Sequence, residues 1–166
     1  IDESTELLRV LARDFQIPYS HIVVDEDGVG GGVKDNLRGI KGFQNNSIPV
    51  STPNRRENYQ NLKTQCTYVL GEYINNHMIS FEGIDKIDDK EMLIEELQQT
   101  RRRDPDHDGK LKIRPKDELK EIISRSPDIA DAVMFRMFFE LRTPEHMKAG
   151  NSGMSDGMVD EIINIY

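Results

Sequence analysis

The sequence predicts an α/β fold, and three observations carry that expectation. A short β-branched run, His21-Ile22-Val23-Val24, lies between two stretches with helical spacing. It ends in an acidic-glycine turn, Asp25-Glu26-Asp27 followed by Gly28-Val29-Gly30-Gly31-Gly32. Amphipathic helical segments then fill most of the remaining chain, interrupted by one alternating stretch, Lys110-Leu111-Lys112-Ile113-Arg114.

Residues 3–15 place Leu7, Leu8, Val10, Leu11 and Phe15 at helical spacing, and Ile17-Pro18 ends the pattern because the residue before proline is driven out of the helical region. The β-branched run at 21–24 reads as a buried, parallel strand. Val33 to Leu37 follows as a short helix that Gly39 stops. Residues 41–56 read as loop, with a short strand around Phe43. The clearest long helix runs from Arg56 to Asn76, with Tyr59, Leu62, Cys66, Val69, Leu70 and Tyr73 on one stripe. Met78 to Phe81 reads as a strand, and Asp88 to Arg103 as a second amphipathic helix. The turn-rich segment 104–114 reads as a β-hairpin. Asp117 to Ser124 is a short helix, and Ser126 to Arg142 a helix apolar on nearly every side. Pro, Gly, Ser and Met dominate from Thr143 onward, so 1–142 is taken as the domain and 143–166 as a flexible tail with a last turn at Val159 to Ile163.

The chain has 166 residues, enough for one ordinary domain. Hydrophobic residues make up 36% and charged residues 31%, a polar balance still within the globular range. No apolar run approaches the ~20 residues of a membrane span, and no signal peptide opens the chain. The single cysteine, Cys66, excludes an intramolecular disulfide framework and fits a reducing cytoplasm. Lys and Arg total 22 against 30 for Asp and Glu, a net charge of -8 that at first sight argues against a nucleic-acid partner. The basic residues are concentrated, however. Arg101, Arg102, Arg103, Lys110, Lys112, Arg114, Lys116, Lys120 and Arg125 fall in one stretch. Such a strip is either a solvated face or a site for the phosphates of a nucleic acid.

The glycine-rich turn does not satisfy the dinucleotide fingerprint, because Val33 stands where its third glycine belongs, and no Gly-Lys-Ser/Thr follows. A flexible strand-to-helix turn explains it better. Asp25 is more informative, since a carboxylate at the carboxyl end of a buried strand sits where open α/β sheets place their ligands. Its spacing leaves metal ligand and turn former both open. The run Asp104-Pro-Asp106-His-Asp108-Gly109 imitates a calcium loop, but Pro115 stands where the bidentate Glu must be, which excludes calcium. At the last helix, Ser126 is expected to cap, Pro127 to take the first position and Asp128 to complement the dipole. That account omits Asp131, which lies among apolar residues; three positions apart, Asp128 and Asp131 can serve one cation from one helical face. Cys66 reads as core, and His21, His77, His107 and His146 form no recognisable site.

Several segments together resemble the C-terminal nuclease domain of bacteriophage large terminase subunits: IVVDEDGVGGGVKDNL, GIKGFQNNS, NYQNLKTQC, RRRDPDHDGKLKIRPKDELKE and SRSPDIADAVMFRMFFEL. The resemblance covers roughly residues 1–141. It implies an RNase H-like fold, related to Holliday-junction resolvases, that cuts concatemeric viral DNA during packaging. It implies a cluster of acidic residues holding two divalent ions, Mg or Mn. Asp25 matches the carboxylate at the end of the family's fourth strand, Asp128 and Asp131 the acids opening its last helix, and 104–114 the hairpin placed beside DNA. The same resemblance makes Arg101, Arg102, Arg103, Lys110, Lys112, Arg114 and Lys116 the residues expected to meet DNA.

The chain departs from the family at its start, because the strand that carries the family's first catalytic Asp lies upstream of the helix that begins this sequence. An incomplete RNase H-like domain is therefore expected, weakly active or inactive by itself and prone to self-association through an exposed edge or core face. In the parent protein the expected function is a metal-dependent DNA endonuclease. Its expected partners are double-stranded DNA, an ATPase domain, a small terminase subunit and a portal, in the cytoplasm of a bacterial host, encoded by a phage or prophage. The alternative is a non-catalytic DNA-binding or assembly module whose acids merely cap helices.

Overall fold

The structure is a computed structural model that describes residues 2–28, 30–51, 58–82, 84, 86–103 and 109–141. The chain divides into two compact units, Ile1–Ser47 and Ile48–Tyr166.

In the first unit, α1 (Asp2–Asp14) turns Thr5, Leu8 and Ala12 inward at helical spacing. Gln16 stops it in the left-handed conformation at φ 55°. Ile17 N–H then reaches back to the Ala12 carbonyl at 2.7 Å and Gln16 N–H to that of Arg13 at 3.2 Å, a paired closure of the helix end. A single 3₁₀ turn, Tyr19–His21, takes up the start of the β-branched run, so β1 spans Val23–Asp25 and Asp25 closes the strand. β2 (Lys41–Phe43) pairs with β1 in parallel, with Asp25 opposite Phe43. The crossover between them is α2 (Gly30–Asn36), which starts earlier than expected because Gly30, Gly31 and Gly32 are themselves helical. Gly39, at φ +107°, allows the chain to turn back after it. Val33, Leu37 and Ile40 form the core here, with Leu8, Tyr19, Ile22 and Val24 against them.

Gly30 has a specific steric role. A Cβ on it would run into the carbonyl group of Asp25, so the glycine lets α2 begin directly against the end of β1. Close backbone approach, rather than a phosphate cradle, accounts for this part of the glycine turn.

The second unit is built around helices. α3 (Leu62–Asn75) begins later than the expected Arg56, because Tyr59 bridges to Leu111 and Asn61 caps the helix by accepting the Thr64 N–H at 2.9 Å. α4 is Ile87–Gln99, α5 is Lys116–Ile123 and α6 is Asp128–Glu140. α6 packs on both α3 and α4, and α5 on α4. Cys66, Val69, Leu70, Leu93, Leu119, Met134, Met137 and Phe138 make the buried interior. An antiparallel pair spans the segment expected as a hairpin: β3 (Arg102–Arg103), which precedes the expected 104–114, pairs with β4 (Lys112–Ile113), with Arg102 opposite Ile113, while 104–108 lie outside the described residues. Because β3 takes up Arg102 and Arg103, α4 ends short of the expected Arg103.

Two expectations are corrected. Residues 78–81 form no strand; His77 takes a left-handed turn at φ 54°, Met78 N–H closes on the Tyr73 carbonyl, and Met78 and Phe81 are exposed without a strand partner. Ser126 does not cap α6 either, because the helix starts at Asp128 with Pro127 at the cap and no side-chain bond from it. The calcium-like run at 104–108 and the tail at 143–166 lie outside the described residues.

Candidate functional site

Asp25 sits at the carboxyl end of β1, and its Oδ1 accepts the Asp27 N–H at 3.1 Å and the Asn45 side-chain amide at 3.2 Å. Asp27 holds the same asparagine twice: Oδ2 accepts the Asn45 backbone N–H at 2.8 Å and its Nδ2 at 3.0 Å. The turn-forming bond within 25–27 and the half-buried carboxyl end of the strand are therefore features of one residue. Among the described residues, the donors to Asp25 are the neutral N–H groups of Asp27 and Asn45, with no cation paired to it. Asn45 Oδ1, beside these two acids, is buried and accepts no hydrogen bond. Glu26 is differently disposed, since its Oε1 pairs with Lys34 at 2.7 Å.

The acids of α6 lie in the second unit and have contrasting surroundings. Asp128 is exposed, whereas the Asp131 side chain retains only 15% of its exposure. Asp131 Oδ1 accepts from Lys63 Nζ at 2.7 Å, and Oδ2 from Lys116 Nζ at 2.9 Å. The cost of burying a carboxylate among apolar residues is thus offset by two cations, one from α3 and one from the first turn of α5. The expected shared face holds in spacing but not in environment.

Sequence reasoning missed the residue that caps α6. Glu96, on α4 and 1% exposed, accepts the Ala130 N–H through Oε2 at 2.8 Å. Its other oxygen lies 3.4 Å from Arg125 Nη2, and Arg125 Nη1 reaches Glu95 at 2.6 Å. A carboxylate from a neighbouring helix satisfies the N-terminal N–H, the capping role expected of Ser126, and adds to the dipole complement expected of Asp128. Lys63 and Asn45 were missed too. Lys63 carried a weak signal, as a charged residue opening the run of buried positions on α3, and Asn45 only its place in the loop after β2.

The basic strip is partly committed to structure. Arg114 Nη1 donates to the Gln99 carbonyl and to Gln99 Oε1, both at 2.9 Å, and Arg103 pairs with Glu118 at 3.2 Å. Arg125 is held by the α4 acids and by the Met92 and Ile123 carbonyls. Arg101 and Arg102 are half-buried, as are Lys110, Lys112 and Lys116. Outside the strip, desolvation pushes the Cys66 thiol up to about 12, and burial with the Glu140 hydrogen bond pushes the Tyr73 phenol up to about 12.

Carboxylate and amide oxygens are hard donors suited to Mg or Mn. Asp25, with no cationic partner among the described residues, and the orphaned Asn45 carbonyl fit such an ion. Within either unit, no three His, Cys, Asp or Glu side chains among the described residues converge as a ready cage.

No protein-family model matches the chain, and no curated protein matches it. Among solved structures, it is similar to the nuclease domain of the large terminase subunit gp2 of bacterial virus Sf6. The match has a TM-score of 0.63 at 23% identity and covers 82% of this chain and 72% of that one. It is also similar to a lysine-to-alanine variant of that domain with manganese and beta-thujaplicinol. There the TM-score is 0.58 at 23% identity, with the same 82% and 72% coverage. The mixed α/β fold of this chain is thus that of a terminase nuclease domain.

Proposed function

We propose that the chain is the nuclease domain of a phage terminase large subunit, a metal-dependent endonuclease that cuts concatemeric DNA for packaging. The observation that carries this reading is Asp25, a carboxylate with no cationic partner among the described residues, at the end of a parallel strand in a chain with a terminase nuclease fold. Asp25, Asp128 and Asp131 are the acids proposed to hold two divalent ions, Mg or Mn; manganese accompanies one of the similar structures. When bound, such ions supply water activation and neutralise charge on the departing oxygen. Asn45 holds the Asp25 carboxylate in place, and Glu96 fixes the first turn of α6, which carries Asp128 and Asp131. Arg101, Arg102, Arg103, Lys110, Lys112, Arg114 and Lys116 are proposed to bind the backbone of double-stranded DNA.

In the parent protein the partners are an ATPase domain, a small terminase subunit and a portal, in the cytoplasm of a bacterial host. The chain by itself is expected to cut weakly or not at all. It exposes Leu7 and Leu11 on α1 and Phe15 just beyond its end, a surface suited to self-association. A second reading, a non-catalytic DNA-binding or assembly module, is favoured by one feature, the lysine on each oxygen of Asp131.

The discriminating experiment is plasmid cleavage by the parent protein in Mg or Mn. Asp25→Asn and Asp128→Asn are expected to abolish cleavage with unchanged melting curves. Undiminished cleavage by both variants rejects the site, and a parent that binds DNA without ever cutting it selects the second reading.

A further inference from the structure

An apolar cavity of about 260 Å³ opens in the second unit, lined by none of the acids or basic-strip residues above. Ile74 at the end of α3, Phe81 and Ile84 in the connection that follows, and Leu93, Ile94 and Leu97 on α4 form its walls, and Lys90 is the one charged side chain in its lining. An apolar void of ~150 Å³ takes up a benzene ring, so this one has room for more than one aliphatic side chain. Its rim is apolar too. Phe81 is 41% exposed and Ile94 44%, and Ile87, seven positions before Ile94 on the same face of α4, is 70% exposed. Exposed apolar surface bordering a cavity marks an interaction site.

The course of the helices selects the occupant. α3 and α6 run side by side in the same direction, since Lys63 meets Asp131 near their starts and Tyr73 donates to Glu140 at 2.9 Å at their ends. α4 runs the opposite way. Its last turn reaches the start of α6, where Glu96 accepts the Ala130 N–H, and its first turns, with Lys90 and Ile94, lie beside Ile74. The chain therefore leaves α6 at the end of the helical layer where the cavity opens. Further along the sequence, Val159, Ile162, Ile163 and Tyr166 stand at i, i+3, i+4 and i+7, the spacing of one apolar helical face. Asp160 borders that face and is opposite in sign to Lys90. Residues 142–158 lie between, enough at ~3.3 Å per residue to cross the ~20 Å length of α4 with much to spare. A segment tethered so close meets the cavity at an effective concentration of about a millimolar, so modest apolar contact is sufficient.

We propose that residues 159–166 dock in this cavity of their own chain as a short amphipathic helix, with Ile162 and Ile163 entering it. The inference stands independently of the nuclease reading, and it gives the stretch beyond α6 a role as cover for the edge between α3 and α4.

The chain contains no tryptophan, so Tyr166→Trp in the full chain supplies a single reporter. Its emission is expected to be blue-shifted from that of N-acetyltryptophanamide and shielded from acrylamide, at every protein concentration. Adding Ile162→Asp is expected to lower the ratio of docked to free segment about ten- to a hundredfold, the contribution of one buried isoleucine, and to return both readings to those of exposed indole. Ile94→Asp, at the cavity, is expected to do the same with an unchanged far-UV circular dichroism spectrum, and Ile94→Gln stands in should that variant not fold. Ile122→Asp, at an exposed isoleucine of α5 outside the cavity, is the control and should change neither reading. Emission of exposed indole from the Tyr166→Trp chain overturns the proposal. So does a blue shift that the Ile94 variants leave intact, or that Ile122→Asp removes equally. A blue shift that grows with concentration, together with a dimer mass in light scattering, overturns it in favour of the segment of a second copy.

Discussion

Replacing Glu96 tests how the acidic end of α6 is held in place. Glu96→Ala removes the acceptor for the Ala130 N–H at 2.8 Å, and that N–H then lies buried without a partner. Losing a helix cap costs about 1 kcal/mol, and loss of a negative charge at a helix N-terminus about 0.5–1 kcal/mol. The side chain is 1% exposed, so truncation also opens a cavity, for about 1–2 kcal/mol more. Arg125 keeps Glu95 at 2.6 Å, which limits the damage on that side. The total is about 2.5–4 kcal/mol, or a fall in Tm of about 10 °C for a chain of this size. Glu96→Gln preserves volume and an acceptor oxygen and loses only the charge, while sparing a buried ion its desolvation cost. About 1 kcal/mol, or 3 °C, is expected for it. Glu95→Gln, at a half-exposed partner of the same arginine, should change Tm by less than about 2 °C. Circular dichroism melts of the three variants decide the matter. A Glu96→Ala melt within 2 °C of wild type, or equal losses for Gln and Ala, would refute the capping role.

The glycine turn and the buried thiol give two further expectations. Gly30→Ala should lower stability by at least 2 kcal/mol in urea titrations, because its Cβ meets the Asp25 backbone, which cannot step aside. Gly42→Ala should cost less, since there the obstacle is the movable end of the Glu26 side chain; equal costs would contradict the contact geometry. Burial raises the Cys66 thiol from 9.0 to about 12, so the folded state favours its protonated form. The stability linked to it is fully present below pH 9 and is lost as pH rises toward 12. Iodoacetamide at pH 8 should accordingly leave Cys66 unmodified in the native chain and label it in urea; rapid native labelling would show that the thiol is not buried.

Local chemistry was legible in the sequence wherever a local cause acts. The β-branched run before an acidic turn specified β1, and Gly39 marked a real stop, because strand propensity and left-handed geometry are decided within a few residues. The error at 78–81 has the opposite origin. Those residues have strand-like composition, but a strand exists only with a partner, and none pairs with them among the described residues. The start of α3 was misplaced for a related reason, since Tyr59 is drawn into a bridge with Leu111, far away in sequence.

The candidate site divides along the same line. Asp25 was legible because its position at a strand end follows from the pattern around it. The environment of Asp131 was not, because Lys63 lies 68 positions away and Lys116 15. Helical spacing put Asp128 and Asp131 on a common face and suggested a common role. Tertiary packing then left one exposed and closed two lysines on the other. A carboxylate saturated by ammonium groups and one facing solvent respond differently to the same cation, because only the first must exchange a partner to bind it. Any division of labour between the two acids therefore originates in α3 and α5, which bring the lysines, rather than in the sequence of α6 that displays the acids.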